Sequence, residues 1–137
     1  MEKQTESKGN SRFAIVKKVL IYGTSICFTF LFIVYIWGCF DIRSSVREIS
    51  AQAIEQYPGD RIEALITYVD SENKSLRQRN RAVWALGQIG DKRALPVLTA
   101  SYTGGPCDHD SRLCQGELQK AIKKCKSSFN ATAWLPR

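Results

Sequence analysis

The stretch RQRNRAVWALGQIGDKRALPVL, which runs from Arg77 to Leu98, decides the fold of this chain. Its apolar residues recur at i, i+3, i+4 and i+7, the spacing that puts one apolar stripe on an α-helix. They are Ala82, Ala85, Leu86 and Ile89. Gly90 can end this helix, and Pro96 falls in the first turn of the next one, where a missing N–H costs little. The stretch therefore predicts two helices in succession.

The same period continues on both sides of this stretch and predicts five helices. Their expected ranges are 43–57, 60–70, 75–90, 93–103 and 111–127. Pro58-Gly59, Gly90-Asp91 and Gly104-Gly105-Pro106 separate them, and Asp60 can cap the second helix. Strand signals are scarce. We therefore expect an all-α domain at 41–127, and its first helix can continue outward from the segment that precedes it.

Similar segments recur about every 32–36 residues, which is typical of stacked helical repeats. The central unit resembles the HEAT-like repeat of the type found in phycobilisome lyases. The residues that fit are Arg79, Ala82, Ala85, Leu86, Gly87, Ile89, Gly90, Asp91, Ala94, Pro96 and Leu98. The resemblance implies a short α-solenoid. It covers residues that build helices, so no lyase activity is carried over with it.

Residues 19–40 form an uncharged and largely apolar run. About 20 such residues span the bilayer core as a helix, and the rest of the chain is too small to bury a helix of this length. Tyr22, Tyr35 and Trp37 lie near its ends, where aromatic rings favour the membrane interface. The sequence thus predicts a transmembrane helix at 19–40, after a basic segment at 1–18.

Basic residues are distributed unequally around this run. Five precede it (Lys3, Lys8, Arg12, Lys17, Lys18), whereas Arg43 and Arg47 are the two that follow closely. Because basic flanks stay in the cytoplasm, we expect a single-pass protein of the cell (inner) membrane. Its N-terminus would be cytoplasmic and its C-terminal domain extracytoplasmic or periplasmic.

Two other interpretations of the apolar run remain open. A cleaved secretory signal would need a shorter run and a small-x-small site, which does not follow Trp37. The segment Ile36-Trp37-Gly38-Cys39 resembles a lipobox, although Trp37 is bulky for that motif. Lipidation at Cys39 would also tether the domain to a membrane.

The three remaining cysteines lie near the C-terminus with the single histidine. In an oxidising compartment, Cys107 and Cys114 can form a disulfide across their short loop. Cys125 is too far along the predicted fifth helix to pair with Cys114, so we interpret it as a core residue. The alternative is a metal site formed by Cys107, Asp108 or Asp110, His109 and Cys114, but its ligand spacing is poor for zinc.

One face of the third helix is the predicted binding surface. Arg77, Arg81, Trp84 and Gln88 share a stripe away from the apolar one. By repeat alignment, Lys120 and Lys124 on the fifth helix would border it, with Gln52 and Gln56 on the first. An aromatic residue flanked by arginines is typical of binding hot spots. The alternative is a solvated face with Trp84 folded onto a neighbouring helix.

The sequence favours binding over catalysis. It has one histidine, no phosphate-binding loop and no recognisable nucleophile, so we expect no enzyme, cofactor or small-molecule substrate. Nucleic-acid binding is not expected, since the orientation puts the domain outside the cytoplasm. We expect a scaffold or accessory subunit of an envelope complex with an unidentified protein partner. A redox- or metal-responsive module using the Cys107–Cys114 loop is the alternative, and the tail at 128–137 could cover the last helix or bind a partner.

Overall fold

The computed structural model describes the backbone of residues 3–108 and 110–127, and the side chains from residue 15 onward within these ranges. Its described elements are helical, without strands, which confirms the all-α class. The helices are α1 (Lys3–Gln56), α2 (Arg61–Asp70), α3 (Leu76–Ile89), α4 (Leu95–Ala100) and α5 (Gln115–Lys126). A short 3₁₀ turn, Lys92–Ala94, precedes α4.

The chain divides into two compact units, Met1–Phe40 and Asp41–Arg137. In the first unit, the described apolar side chains of α1 are exposed along its length. Phe28 and Trp37, for example, are 75% and 79% exposed. From Ile15 onward, α1 is long and apolar enough to cross a membrane, judged by length and composition. It is therefore a candidate membrane span.

The helix bounds differ most from the predicted ones in three places. The predicted helix at 43–57 is the last part of α1, as the sequence allowed, and not a separate element. Helix α4 ends at Ala100 instead of 103. Helix α5 begins at Gln115 instead of 111, because the Asp108 carboxylate accepts hydrogen bonds from the Asp110 N–H and the Ser111 hydroxyl. Such a local turn competes with the helix.

The second unit is built around one apolar core. Helix α3 packs against α2 and α5, and the described end of α1 contributes Ile49 and Ala53. The predicted apolar stripe of α3 is buried at Ala82, Ala85 and Leu86, whereas Ile89 is half-buried. Val83 is also buried, because neighbours cover α3 over a wider arc than the stripe alone. The largest fully buried side chains are Tyr68, Ile49, Leu65, Leu86, Leu98, Leu118, Val69, Val83 and Cys125.

The helix ends are fixed by the capping residues that the sequence indicated. Asp60 accepts hydrogen bonds from the Ile62 and Glu63 N–H groups and completes a capping box with Glu63. Gly90 ends α3 in the left-handed conformation, with φ 71°. A residue with a Cβ would be strained there, so a glycine suits this exit.

Candidate functional site: a cleft between α3 and α5

Helices α3 and α5 approach each other most closely at a glycine. A Cβ atom added to Gly87 would lie 2.8 Å from the Cα of Ala121 and 2.9 Å from its Cβ, closer than van der Waals contact allows. The two backbones can approach this closely only because residue 87 has no side chain and residue 121 has a small one. Longer side chains next to this contact enclose a cleft.

The cleft has a volume of about 180 Å³. Helix α3 contributes Trp84, Gly87 and Gln88 to its lining, and α5 contributes Glu117, Lys120, Ala121 and Lys124. It thus combines one aromatic ring, one amide, one carboxylate and two ammonium groups.

The two lysines of the cleft differ in their surroundings. Lys124 Nζ donates a hydrogen bond to Gln88 Oε1 at 2.9 Å, and partial burial lowers the pKa of Lys124. Lys120 is exposed, and its ion pair with Glu117 at 2.8 Å raises the pKa of Lys120. Removing an ammonium group from water disfavours its charge, whereas a nearby carboxylate favours it. Both lysines can offer N–H donors to a ligand at the cleft.

Of the six predicted binding residues, the structure brings four to this cleft: Trp84, Gln88, Lys120 and Lys124. Arg77 is exposed but does not line the cleft, and Arg81 forms an ion pair with Glu48 of α1 at 2.7 Å. On α1, Gln52 is half-buried and Gln56 exposed, and neither lines the cleft.

Two of these residues are less exposed than predicted. Gln88 is buried, with 9% of its surface exposed, whereas the sequence analysis placed it on an exposed face. Trp84 is half-buried and packs against the core, which agrees in part with the alternative in which it folds onto a neighbouring helix. The spacing along one helix shows which residues share a face. It does not show that α5 covers part of this face.

Sequence reasoning missed the polar residues that hold the loop before α5. The Asn80 side chain accepts a hydrogen bond from the Cys114 N–H at 2.8 Å. Gln115 is buried, and its side-chain oxygen accepts one from the Thr103 N–H at 2.8 Å. Both are ordinary polar residues in a one-dimensional pattern. The length and the glycine content of the loop before α5 were the sequence features that could have indicated a need for such hydrogen bonds.

Cys107 and Cys114 lie beside each other at the start of α5. Cys107 is exposed, Cys114 is buried, and both are unbonded in this structure, so their disulfide stays a prediction. Cys125 is buried as expected, and its thiol donates a hydrogen bond to the Leu86 carbonyl at 3.7 Å. Among the described residues, no three His, Cys, Asp or Glu side chains could together hold a metal ion. His109 lies outside the described residues.

Comparison with known families agrees with the helical geometry in the centre of the chain. A family model described as the PBS lyase HEAT-like repeat matches residues 78–102, which include most of α3 and all of α4. The chain carries a HEAT-like repeat. No curated protein and no solved structure matched it. The match confirms the predicted HEAT-like repeat and suggests a helical module for protein interaction.

Proposed function

We propose that this chain is a membrane-tethered HEAT-like module that binds another protein at the cleft between α3 and α5. The observation that carries the proposal is the cleft itself, where Trp84 lies beside two lysines. The chain would be an accessory or assembly subunit of an envelope complex, and its partner another protein of that complex. The proposed role is binding, since the lining offers a partner an aromatic ring, an amide, a carboxylate and two ammonium groups.

Contacts between helices support a short stacked-repeat arrangement. Arg81 bonds to Glu48 and Arg93 to Asp60, each across 33 residues of chain. The Cys114 N–H bonds to Asn80 across 34 residues, and Lys124 bonds to Gln88 across 36. These separations agree with a repeat of about 32–36 residues, in which each unit contacts the next one.

The cleft chemistry favours an acidic partner segment that also carries an apolar or aromatic side chain. Lys120 and Lys124 can donate to carboxylates, and α5 adds the exposed Lys123 and Lys126. A half-buried tryptophan offers apolar area at low entropy cost, which is why tryptophan is frequent among binding hot spots. Charged groups of this kind would mainly accelerate association and select the partner.

The proposal also includes the membrane and its orientation. The apolar part of α1 would span the membrane, and the unequal basic flanks would keep residues 1–18 in the cytoplasm. The module would then face the extracytoplasmic side, where it could bind an acidic segment of an envelope complex.

A paired crosslinking experiment tests the site. A photoreactive residue is placed at position 120 or 123 of the full chain in native membranes. Both positions are exposed lysines on α5, but Lys120 lines the cleft and Lys123 does not. We expect a discrete adduct from position 120 whose yield falls with added salt, because surface charge attraction is screened.

Charge reversal provides the matched control. Lys120→Glu should reduce the yield of the partner complex several-fold, whereas Lys123→Glu, on the same helix, should leave it close to wild type. Loss of the exposed Lys120–Glu117 ion pair should matter little for folding. Equal adducts from both positions, or equal effects of both substitutions, would show that the cleft is not the binding site.

A further inference from the structure

Two thiols meet at the first turn of α5. A methyl group built on Gly116 would lie 3.4 Å from the Cys107 sulfur and 3.9 Å from the Cys114 sulfur, so both sulfurs lie beside the same glycine. Cys107 is exposed, whereas Cys114 is buried, with 7% of its surface exposed. A reagent in solution can therefore reach Cys107 far more easily than Cys114.

The surroundings of Cys107 favour its thiolate. The Gly116 N–H donates a hydrogen bond to the Cys107 sulfur at 3.1 Å. The Cys114 thiol and then the Gly116 N–H lower the pKa of Cys107, because both bond to the charged form. Among the charged groups nearby, Glu117 opposes the thiolate, and Lys120 is attracted to it. The thiolate is the reactive form of cysteine.

We propose that Cys107 and Cys114 form a reversible dithiol–disulfide pair that exchanges with organic disulfides, with Cys107 as the attacking sulfur and Cys114 as the resolving sulfur. This role does not depend on partner binding at the α3–α5 cleft. The proximity of one exposed and one buried sulfur beside Gly116 carries the inference.

The exchange takes place in two balanced steps. The Cys107 thiolate attacks a disulfide R–S–S–R, forms a Cys107–S–S–R bond and releases one R–S⁻. The Cys114 thiol then gives up its proton to solvent and attacks the Cys107 sulfur. This step forms the Cys107–Cys114 bond and releases the second R–S⁻. The pair loses two electrons, the organic disulfide gains them, and the two released protons are available to the two R–S⁻ products.

The first test measures thiol reactivity in the full wild-type chain in detergent micelles. Iodoacetamide is applied in short pulses between pH 5 and 9, and peptide mass spectrometry reports the modification at each cysteine. We expect the pH midpoint for Cys107 to lie below the value for the same cysteine in the denatured chain. Equal midpoints in the folded and denatured chains would refute the proposal without any variant.

The second test uses glutathione disulfide as the probe. The wild-type chain should end with a Cys107–Cys114 bond and no retained glutathione, whereas Cys114→Ser should accumulate glutathione on Cys107. Cys107→Ser should leave Cys114 largely unmodified. The proposal is wrong if glutathione persists on Cys107 in the wild-type chain or if Cys114 is modified first. Circular dichroism checks the fold of each variant, and Cys114→Ala replaces Cys114→Ser if the serine variant unfolds.

Discussion

The guanidinium of Arg93 lies 2.7 Å from the carboxylate of Asp60, across 33 residues of chain. The same guanidinium lies 3.2 Å from the carboxylate of Asp91. The two aspartates occupy similar places in the sequence, since each follows a glycine and caps the start of a helical segment. Arg93 therefore connects two equivalent helix starts.

This connection predicts a loss of stability in acid. Hydrogen bonds from the Glu63 N–H and then from Arg93 lower the pKa of Asp60 below its ordinary 3.8. The Arg93 N–H and side chain do the same for Asp91. A carboxyl group whose pKa is lowered by folding stabilises the fold at pH values above its pKa in the unfolded chain. This contribution is lost as the pH falls through the pKa of the folded state. Chemical denaturation of the chain in detergent micelles should show the free energy of unfolding of the second unit falling below about pH 4.

Asp60→Asn tests this assignment. Asparagine can still cap a helix, so the variant should fold at neutral pH but lose part of the acid dependence. Asp70→Asn is the control, since it removes an exposed carboxylate from the other end of α2. An equal change in the pH profile of both variants would contradict the role given to Asp60.

Substitution of Gly87 should destabilise the α3–α5 contact. Alanine normally favours a helix over glycine by about 1 kcal/mol. Here the added methyl group would lie 2.8 Å from the Ala121 backbone, so α5 has to shift. We expect Gly87→Ala to lower the free energy of unfolding by about 1–3 kcal/mol, as for other overpacked sites.

The matched control for Gly87→Ala is Gly105→Ala, where the nearest atoms to a new Cβ lie at 3.7 Å, an ordinary contact distance. Thermal denaturation should show a lower melting temperature for the first variant and little change for the second. If both variants melt like the wild-type chain, the two helices are not held as closely as the structure indicates.

Cys125 should affect stability in alkaline solution. Burial raises the pKa of the Cys125 thiol from 9.0 to about 11. The folded state therefore favours the neutral thiol, and the resulting stability is present below pH 9 and is lost as the pH rises towards 11. Replacement of Cys125 by alanine should make the free energy of unfolding depend less on pH between pH 9 and about 11.

Alkylation provides a second measurement on Cys125. Because its sulfur is buried and bonded to the Leu86 carbonyl, iodoacetamide at pH 8 should modify it only after denaturant is added. Rapid modification in the folded chain would show that this part of the core opens easily.

The membrane orientation can be tested with a reporter that is active only outside the cytoplasm. Fused after Arg137, it should be active, because the basic flank at 1–18 is expected to remain inside. Deletion of residues 19–40 should abolish this activity by removing the apolar run. Activity of a cytoplasmic reporter at the same fusion point would reverse the orientation.

The sequence was sufficient for features that depend on local pattern. The apolar period around Ala85, the exit at Gly90 and the cap at Asp60 follow from propensities that act within a few residues. The HEAT-like resemblance was confirmed over residues 78–102. The continuation of α1 to Gln56 was allowed for, because no breaker occurs before Pro58.

The features that were missed depend on contacts between distant residues. Lys124 of α5 bonds to Gln88, and Trp84 packs against the core. The predicted binding face included both residues, with a packed Trp84 as the alternative. The spacing of residues along one helix does not show which neighbouring helix will cover them. The late start of α5 was missed because the polar turn at Asp108 competes with a helix that the spacing alone favoured.

The separation of bonded residues has a consequence for how the domain forms. The contacts that join Arg93 to Asp60, Lys124 to Gln88 and Cys125 to Leu86 connect positions 33 to 39 residues apart. Helical domains, in which most contacts lie within single helices, fold in microseconds to milliseconds, whereas chain synthesis adds about 5–20 residues per second. Helix α3 can therefore dock on α2 while later residues are still being synthesised, and α5, which contacts both α3 and α4, completes the domain last.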